Sequence, residues 1–418
     1  MEREVGHLHS VNTQTFLSVD EARRNIAAMV PRIEANVSLP IREALGRYLG
    51  QTVVSPLNVP AYDNSAVDGY ALRYAELQTH GSGFRIVGTA LAGHGYQGRI
   101  GTGECVRVTT GAIMPEDADT VIMQEDVTQE GEAIQINGEH RQGQHLRHAG
   151  EDLALGQTVF HPGRKLHAGD IGLLASLGLP EVLVKRRLRV AFFSTGDELR
   201  SIGSELQKGE IYDSNRYTLY SMLSEMDCSI IDMGVIPDQP EAIRTAFLHA
   251  SNNADVIITS GGVSVGDADY VKMVLDELGQ IDFWKLKMKP GRPLAFGHIN
   301  KAMFFGLPGN PVAVMVTFFQ FVIPALRQMM GDEAAEMLTV NAISQSRLRK
   351  QPGRTEFQRG ILSRNSKGEM VVESSGSQGA GILSSISRSN CLLILDEAQG
   401  NIEPGDLVAV QPYLNFMR

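Results

Sequence analysis

The sequence predicts a multidomain chain of α/β-plus-β class: a central, doubly wound, mostly parallel α/β domain, an inserted small β domain, and a C-terminal β-barrel or sandwich. Three observations carry this. The 418 residues exceed what one hydrophobic core ordinarily serves. Between about Arg187 and Met330 strand-like and helix-like segments alternate: LRVAFFS then RYTLYSMLSEM, CSIIDMGVI then EAIRTAFLHA, ADVIITS then DYVKMVLDEL, AMFFGL then VAVMVTFFQFV. On both sides of that region, short β-branched segments are separated by glycine-rich turns.

The elements follow in order. Ser18 to Glu21 form a capping box ahead of an amphipathic run to about Met29, which predicts an N-terminal helix. From about Phe84 to Val127 the segments FRIVGTA, CVRVTTG and TVIMQEDV read as strands of the small β domain. A glycine-containing stretch then leads to a helix predicted from His167 to Leu177. After Gly331, EFQRGIL, EMVVESS, CLLILDE and DLVAVQPY read as strands of the C-terminal β domain.

Composition excludes several function classes. The chain is 43% hydrophobic and 21% charged, ordinary globular material. Its longest apolar run, Val312 to Ile323, reads as too short to span a bilayer, and the N-terminus lacks a signal peptide's apolar stretch. Cys105, Cys228 and Cys391 fit no zinc spacing and leave one unpaired in any disulfide scheme, so a reducing cytoplasm is expected. A formal charge of −10 argues against nonspecific nucleic-acid binding. An anionic ligand would need its positive partners concentrated locally.

In open parallel sheets the ligand crevice lies outside the carboxyl ends of the strands. Four loops should therefore share one edge: STGDEL from Ser194, PDQP from Pro237, SGGVSVGDADY from Ser260, and LPGNP from Leu307. In the third, Gly261, Gly262 and Gly266 allow close backbone approach, and Ser260 and Ser264 add hydroxyls. That suits a phosphate or an oxyanion such as molybdate. It is neither a Walker A loop nor a dinucleotide fingerprint. Asp267 reads equally as a helix cap, whereas Asp269, set beside Asp238 and Glu198, points to Mg²⁺. LPGNPV is as well explained by Asn310 capping a helix that begins at Pro311 as by a binding loop. In FWKLKMKPGRP an extended backbone puts Lys285, Lys287 and Lys289 on one face and Trp284, Leu286 and Met288 on the other, with Arg292 after a turn. Arg147 and His148 stand beside Glu151 and Asp152, where ion pairs are the ordinary reading. The HLH tripeptide at His7 carries no metal-ligand spacing, and no Cys/His or Ser/His/Asp set is indicated. PAYDNSAVDGYAL is unusual in crowding Asp63 and Asp68 into a turn, with Gly69 directly after.

Taken together, PAYDNSAVDGYA, TTGAIMPEDADTVIMQED, RHAGEDL, STGDEL, IYDSNRYTL, SGGVSVGDADYVK, WKLKMKPGRPLAFG and LPGNPVA closely resemble the molybdopterin molybdenumtransferase family, to which the gephyrin E domain is related. The resemblance runs from roughly Phe16 to the C-terminus. It implies four domains: an elongated connecting domain of residues 12–57 and 146–186, the small β domain 58–145, a molybdopterin-binding α/β domain 187–331, and a C-terminal β-barrel 332–418. It implies a cytoplasmic homodimer that takes adenylylated molybdopterin and molybdate, uses Mg²⁺, releases AMP and leaves molybdenum on the dithiolene. Transient contact with other proteins of molybdenum cofactor biosynthesis is expected, and neither nucleic acid nor membrane.

Carried over position by position, Asp68, Glu198, Asp238 and Asp269 match the family's functional acids, the last three as metal ligands. Thr110, Arg147, Ser194, Gly261, Gly262, Ser264, Lys285, Lys289, Pro308 and Pro311 match its substrate- and molybdate-binding positions, and Lys287 falls outside the pattern. Asp68 and Thr110 would reach across the dimer to complete the other subunit's site. Ala380 stands where relatives often carry serine, which removes one polar contact. Two other readings compete: a molybdopterin adenylyltransferase, and a gephyrin-like scaffold without catalysis. Nothing in the sequence separates molybdate from tungstate.

Overall fold

The computed structural model describes residues 16–262, 270–332 and 337–413. They form two compact units, one of residues 38–184 and one of the residues up to 37 together with those from 185 onward.

The second unit is built on a seven-stranded sheet. Its elements in chain order are β1 (Phe16–Leu17), α1 (Val19–Met29), β2 (Arg189–Thr195), α2 (Ser214–Glu225), β3 (Ser229–Ile236), α3 (Pro240–Asn253), β4 (Val256–Ser260), α4 (Tyr270–Leu278), β5 (Gly279–Leu286), β6 (Pro293–Ile299) and β7 (Ala302–Leu307). The strand order is β1-β5-β6-β7-β4-β2-β3, and only β6 runs against the others. The alternation read from the sequence is thus realised as a mostly parallel, doubly wound sheet. The β5–β6 hairpin was not foreseen as part of it.

Burial on both faces explains why β4 reads as an unbroken apolar run. On one face Ala191 and Phe193 pack with Ile243, Phe247 and Ala250 of α3 and Val271, Val274 and Leu275 of α4. Edge-to-face ring pairs Phe193–Phe247 at 5.1 Å and Phe247–Phe304 at 5.6 Å fix that layer. At the amino end Asp255 accepts hydrogen bonds from Arg186 at 2.6 and 2.8 Å and from the Arg189 amide at 2.8 Å, clasping the starts of β2 and β4.

The predicted capping box is present. Ser18 Oγ accepts from the Glu21 amide at 3.2 Å while the Glu21 carboxylate accepts from the Ser18 amide at 2.8 Å, and α1 follows as expected. After β7 the chain runs helically from Pro311 to Met329, through a π segment at Phe318–Val322. The apolar run Val312 to Ile323 lies within this longer helix. At 19 residues and mean hydropathy 1.5 it is, among the described residues, the one helix long and apolar enough to cross a membrane, yet 78% of it is buried inside the protein. It is apolar because it is a core helix.

Five strands close a barrel: Val340–Ser344, Thr355–Arg364, Met370–Ser374, Cys391–Leu395 and Leu407–Pro412. Four of them were legible, and the first was not. Closure removes sheet edges and resolves the barrel-or-sandwich question. The two-residue strand Met288–Lys289, just past β5, pairs in parallel with Thr355 and Glu356 of this barrel.

The unit of residues 38–184 has a six-stranded sheet ordered Thr120–Met123, Gly69–Leu72, Glu104–Val108, Gly83–Ala90, Ala133–Ile136, Val127–Glu130. Alternation sends Ala71, Val106 and Val121 into one apolar layer and Tyr70, Leu72, Cys105 and Ile122 into another. A separate core gathers Leu49, Val53, Phe160, Leu166, Leu174 and Val184 around the helix Ala168–Ser176, which His167 and Asp170 cap.

Candidate active site

The four predicted loops do follow the carboxyl ends of β2, β3, β4 and β7. The chain leaves β2 toward β3 on one side and returns to β4 on the other, so the sheet's switch point lies between β2 and β4. That is where a crevice opens in such folds.

Gly261 and Gly262 follow β4 with φ of +87° and +66°, which a side chain would resist. Space matters as much: a Cβ on Gly262 would lie 2.5 Å from Val271 Cγ2 and 2.7 Å from Thr195 Oγ1. The Gly261 amide donates to the Leu307 carbonyl at 3.2 Å. Asn215, second residue of α2, donates from Nδ2 both to Ser260 Oγ at 3.1 Å and to the Gly309 carbonyl at 2.7 Å. It therefore ties the β4 and β7 loops together, a role that sequence reading missed although IYDSNRYTL was noted. Asn310 occupies the N-cap position and Pro311 the first helical turn, as predicted, but the Asn310 side chain makes no capping bond. Pro308 is buried. Ser194 is fully buried, with its hydroxyl unpartnered.

Acids crowd the ends of β2 and β3. The Asp238 amide donates to Asp197 Oδ1 at 3.4 Å. Partial burial, and after it the nearby carboxylates of Asp197 and Glu198, raise the Asp238 carboxyl above its ordinary range. Asp197 was overlooked in the sequence; its adjacency to Glu198 in STGDEL was the available signal. Ser264, Asp267 and Asp269 lie outside the described residues. Among the described residues no three acidic, histidine or cysteine side chains converge as a ready metal cage.

The extended reading of Trp284 to Lys289 is realised: Trp284, Leu286 and Met288 are buried, Lys285 and Lys287 half-buried, and Lys289 exposed. Lys285 stands at the carboxyl end of β5, paired in register with Phe16 and Pro293. Lys287 pairs with Glu397 at 3.2 Å and Lys289 with Glu356 at 3.3 Å. The three cysteines are free, and burial pushes each thiol up to about 12, so none is a ready nucleophile.

In the other unit, the two aspartates of PAYDNSAVDGYAL do different work. Asp63 accepts from the Ala149 amide at 2.7 Å and faces the His148 ring at 3.4 Å, bracing the two loops. Asp68 accepts from the Thr110 amide at 2.7 Å and from Thr110 Oγ1 at 2.9 Å. Those two bonds hold its carboxyl below the usual range, on an exposed surface. Gly69 is required by crowding: a Cβ there would lie 2.0 Å from the Ile122 carbonyl oxygen. Arg147, on a two-residue strand paired with Asn64–Ser65, is exposed. The expected ion pairs around it are corrected: Glu151 instead accepts the His148 amide at 3.0 Å and His148 turns to Asp63.

Three family models match the chain in order: "MoeA N-terminal region (domain I and II)" over residues 17–178, "Probable molybdopterin binding domain" over 191–328, and "MoeA C-terminal region (domain IV)" over 341–413. A molybdopterin molybdenumtransferase of Haemophilus influenzae is 41% identical over 404 residues, covering 96% of this chain and all of that protein. One from a Nostoc species is 35% identical, covering 94% and 93%. The crystal structure of a molybdopterin biosynthesis moeA protein from Pyrococcus horikoshii superposes with a TM-score of 0.84 at 30% identity, covering 96% of this chain and all of that one.

Proposed function

The chain belongs to the molybdopterin molybdenumtransferase family, enzymes of molybdenum cofactor biosynthesis, and we propose that it inserts molybdate into adenylylated molybdopterin with Mg²⁺, releasing AMP. The observation that carries this reading is the gathering of Asp197, Glu198 and Asp238 at the ends of adjacent parallel strands, their charges working against one another. Such crowding suits a cation site. Mg²⁺ needs only one or two protein carboxylates and otherwise keeps water, so this donor set fits without a closed cage. Bound there, Mg²⁺ would neutralise charge on the phosphoanhydride.

Glu198 and Asp238, with Asp269 from the neighbouring loop, would hold the ion. Gly261 and Gly262, at positive φ directly after β4, would lie beside the oxyanion, and the loops carrying Ser264, Pro308 and Pro311 would enclose it. Lys285 and Lys289 supply ammonium groups to the anionic substrate. Position counts as much as charge, because an in-line attack on phosphorus needs the reacting oxygen held within contact distance. Asp68, fixed by Thr110, would act in trans within a cytoplasmic homodimer, with Arg147 on the strand that pairs with Asn64, shortly before Asp68 in the chain.

The test is a mixed-dimer assay. Asp68→Ala and Glu198→Ala proteins should each release almost no AMP alone. Mixing them with exchange of subunits should restore up to about a quarter of the wild-type rate, the binomial share of one intact site per two. No recovery, with exchange verified, rejects the shared site; AMP release independent of Mg²⁺ rejects the metal role.

A further inference from the structure

Lys289 stands outside the seven-stranded sheet whose strand β5 carries Lys285. It follows β5 and pairs in register with Glu356, the second residue of a barrel strand. Its side chain is 49% exposed, whereas that of Glu356 is 4% exposed. The carboxylate is therefore the fixed member of the pair and the ammonium the presented one.

The direction of Glu356 follows from the barrel register. Glu356, Gln358 and Gly360 lie opposite Leu395, Leu393 and Cys391, all three of which belong to the barrel's apolar core. Residues directly opposite in an antiparallel pair share a face, so Glu356 and Gln358 enter the barrel from one end. There Gln358 Nε2 donates to Glu356 Oε2 at 3.2 Å and to the Arg349 carbonyl at 2.9 Å. Lys350, 5% exposed, donates to the carbonyls of Gln399 at 2.9 Å and Gln351 at 3.3 Å. Burial lowers the Lys350 ammonium's pKa, and the charge of Glu356 opposes that drift. A buried carboxylate is costly unless paired and hydrogen-bonded. Here its two oxygens face one half-exposed lysine at 3.3 and 3.5 Å, an amide and a buried ammonium's field.

We propose that Glu356 is a positioning residue for the reaction: from inside the barrel mouth it fixes where the Lys289 ammonium meets the anionic substrate. The inference rests on the reading of Lys289 as a substrate-binding lysine. It gives the C-terminal barrel a specific part in the chemistry, that of aiming a cation carried by the α/β domain. Gln358 holds one of the carboxylate's oxygens, and the charge of Glu356 acts in turn on the buried Lys350 ammonium.

The experiment is a double-mutant cycle on the full-length dimeric protein, scored by kcat/KM for AMP release with adenylylated molybdopterin. Lys289→Ala alone should lower kcat/KM by about 100-fold, and Glu356→Gln alone by about 10-fold through misplacement. In the Lys289→Ala background Glu356→Gln should change it by less than about 2-fold, because its effect passes through the absent lysine. If Glu356→Gln multiplies the Lys289→Ala loss by its full factor, the positioning role is wrong and the reading of Lys289 survives. If Lys289→Ala is neutral, both fall. Should Glu356→Gln fail to fold because it strands the Lys350 ammonium, the paired change Glu356→Gln with Lys350→Met removes both charges. The same cycle then applies, with the same two outcomes.

Discussion

Replacing Gly69 by alanine tests whether the spacing of PAYDNSAVDGYAL is set by packing. The glycine has no positive φ, so conformational strain is not the issue; a Cβ there would meet Ile122 O at 2.0 Å, Ile122 C at 2.9 Å and Met123 Cα at 3.2 Å. Ordinary contact begins near 3.4 Å, so the strand Thr120–Met123 must retreat by about 1.4 Å, the difference 3.4 − 2.0. The atoms met are backbone, and no rotamer change relieves them. That retreat lengthens the ladder bonds around the Gly69–Met123 and Tyr70–Ile122 pairs. Two lost backbone bonds at about 1 kcal/mol each, with about 1–2 kcal/mol of overpacking, give a destabilisation of about 3–4 kcal/mol. Thermal unfolding should then begin roughly 6–16 °C lower. Because Asp68 directly precedes the substituted residue, AMP release should fall as well.

Gly83→Ala is the control, in the same sheet. Its added Cβ would stand 3.6 Å from the Gln135 carboxamide oxygen, ordinary contact, and the change should be within about 0.5 kcal/mol of neutral. The assay is calorimetry of the full-length protein, with amide hydrogen exchange read at Val121 to Met123. A Gly69→Ala protein within about 1 kcal/mol of wild type, with unchanged exchange on that strand, would refute the crowding argument.

Two further outcomes follow from charges on either end of the central sheet. Asp238 has a folded-state pKa raised by burial and by Asp197 and Glu198, so its ionisation opposes folding above that value and protonation relieves the strain as pH falls through it. Asp197→Asn should move the acid limb of kcat/KM to lower pH and make the protein slightly more stable at neutral pH; an acid limb that stays in place would show that Asp197 does not govern Asp238. Burial would raise the Asp255 carboxyl, but hydrogen bonds from Arg186 and Arg189 overcome it and hold the group below the usual carboxylate range. Its stabilisation is therefore present above the unfolded value and lost as pH falls through the folded one. Asp255→Asn should cost about 2–3 kcal/mol at pH 7 in urea unfolding, with the gap closing below about pH 4; a gap that widens on acidification would contradict the assignment.

What was legible in the sequence was what local pattern encodes. Strands β2, β4 and β7 are apolar runs ended by glycine or proline, α1 announces itself through Ser18 and Glu21, and the alternation from Trp284 to Met288 appears as a buried face. The four loops could be assigned to one edge because parallel strands place their carboxyl ends together. Illegible were features that depend on which strand lies beside which. Asn215 looks like an ordinary helix residue until β4 and β7 prove to be neighbours, and only then can one amide bridge Ser260 and Gly309. Asp63 and Asp68 are indistinguishable as letters; the partners Ala149 and Thr110, 86 and 42 residues away, make one a brace and the other an exposed, charged acceptor. Lys287 and Lys289 were separated only by resemblance, yet both make ion pairs. Register supplies the physical difference. Glu356 is buried in the barrel mouth and can fix what it touches, whereas Glu397 is itself 41% exposed, and an exposed pair contributes little beyond about 1 kcal/mol. A lysine's capacity to act at a defined point in space is set by the residue that holds it, and that residue lies 67 positions along the chain, buried in the mouth of the barrel.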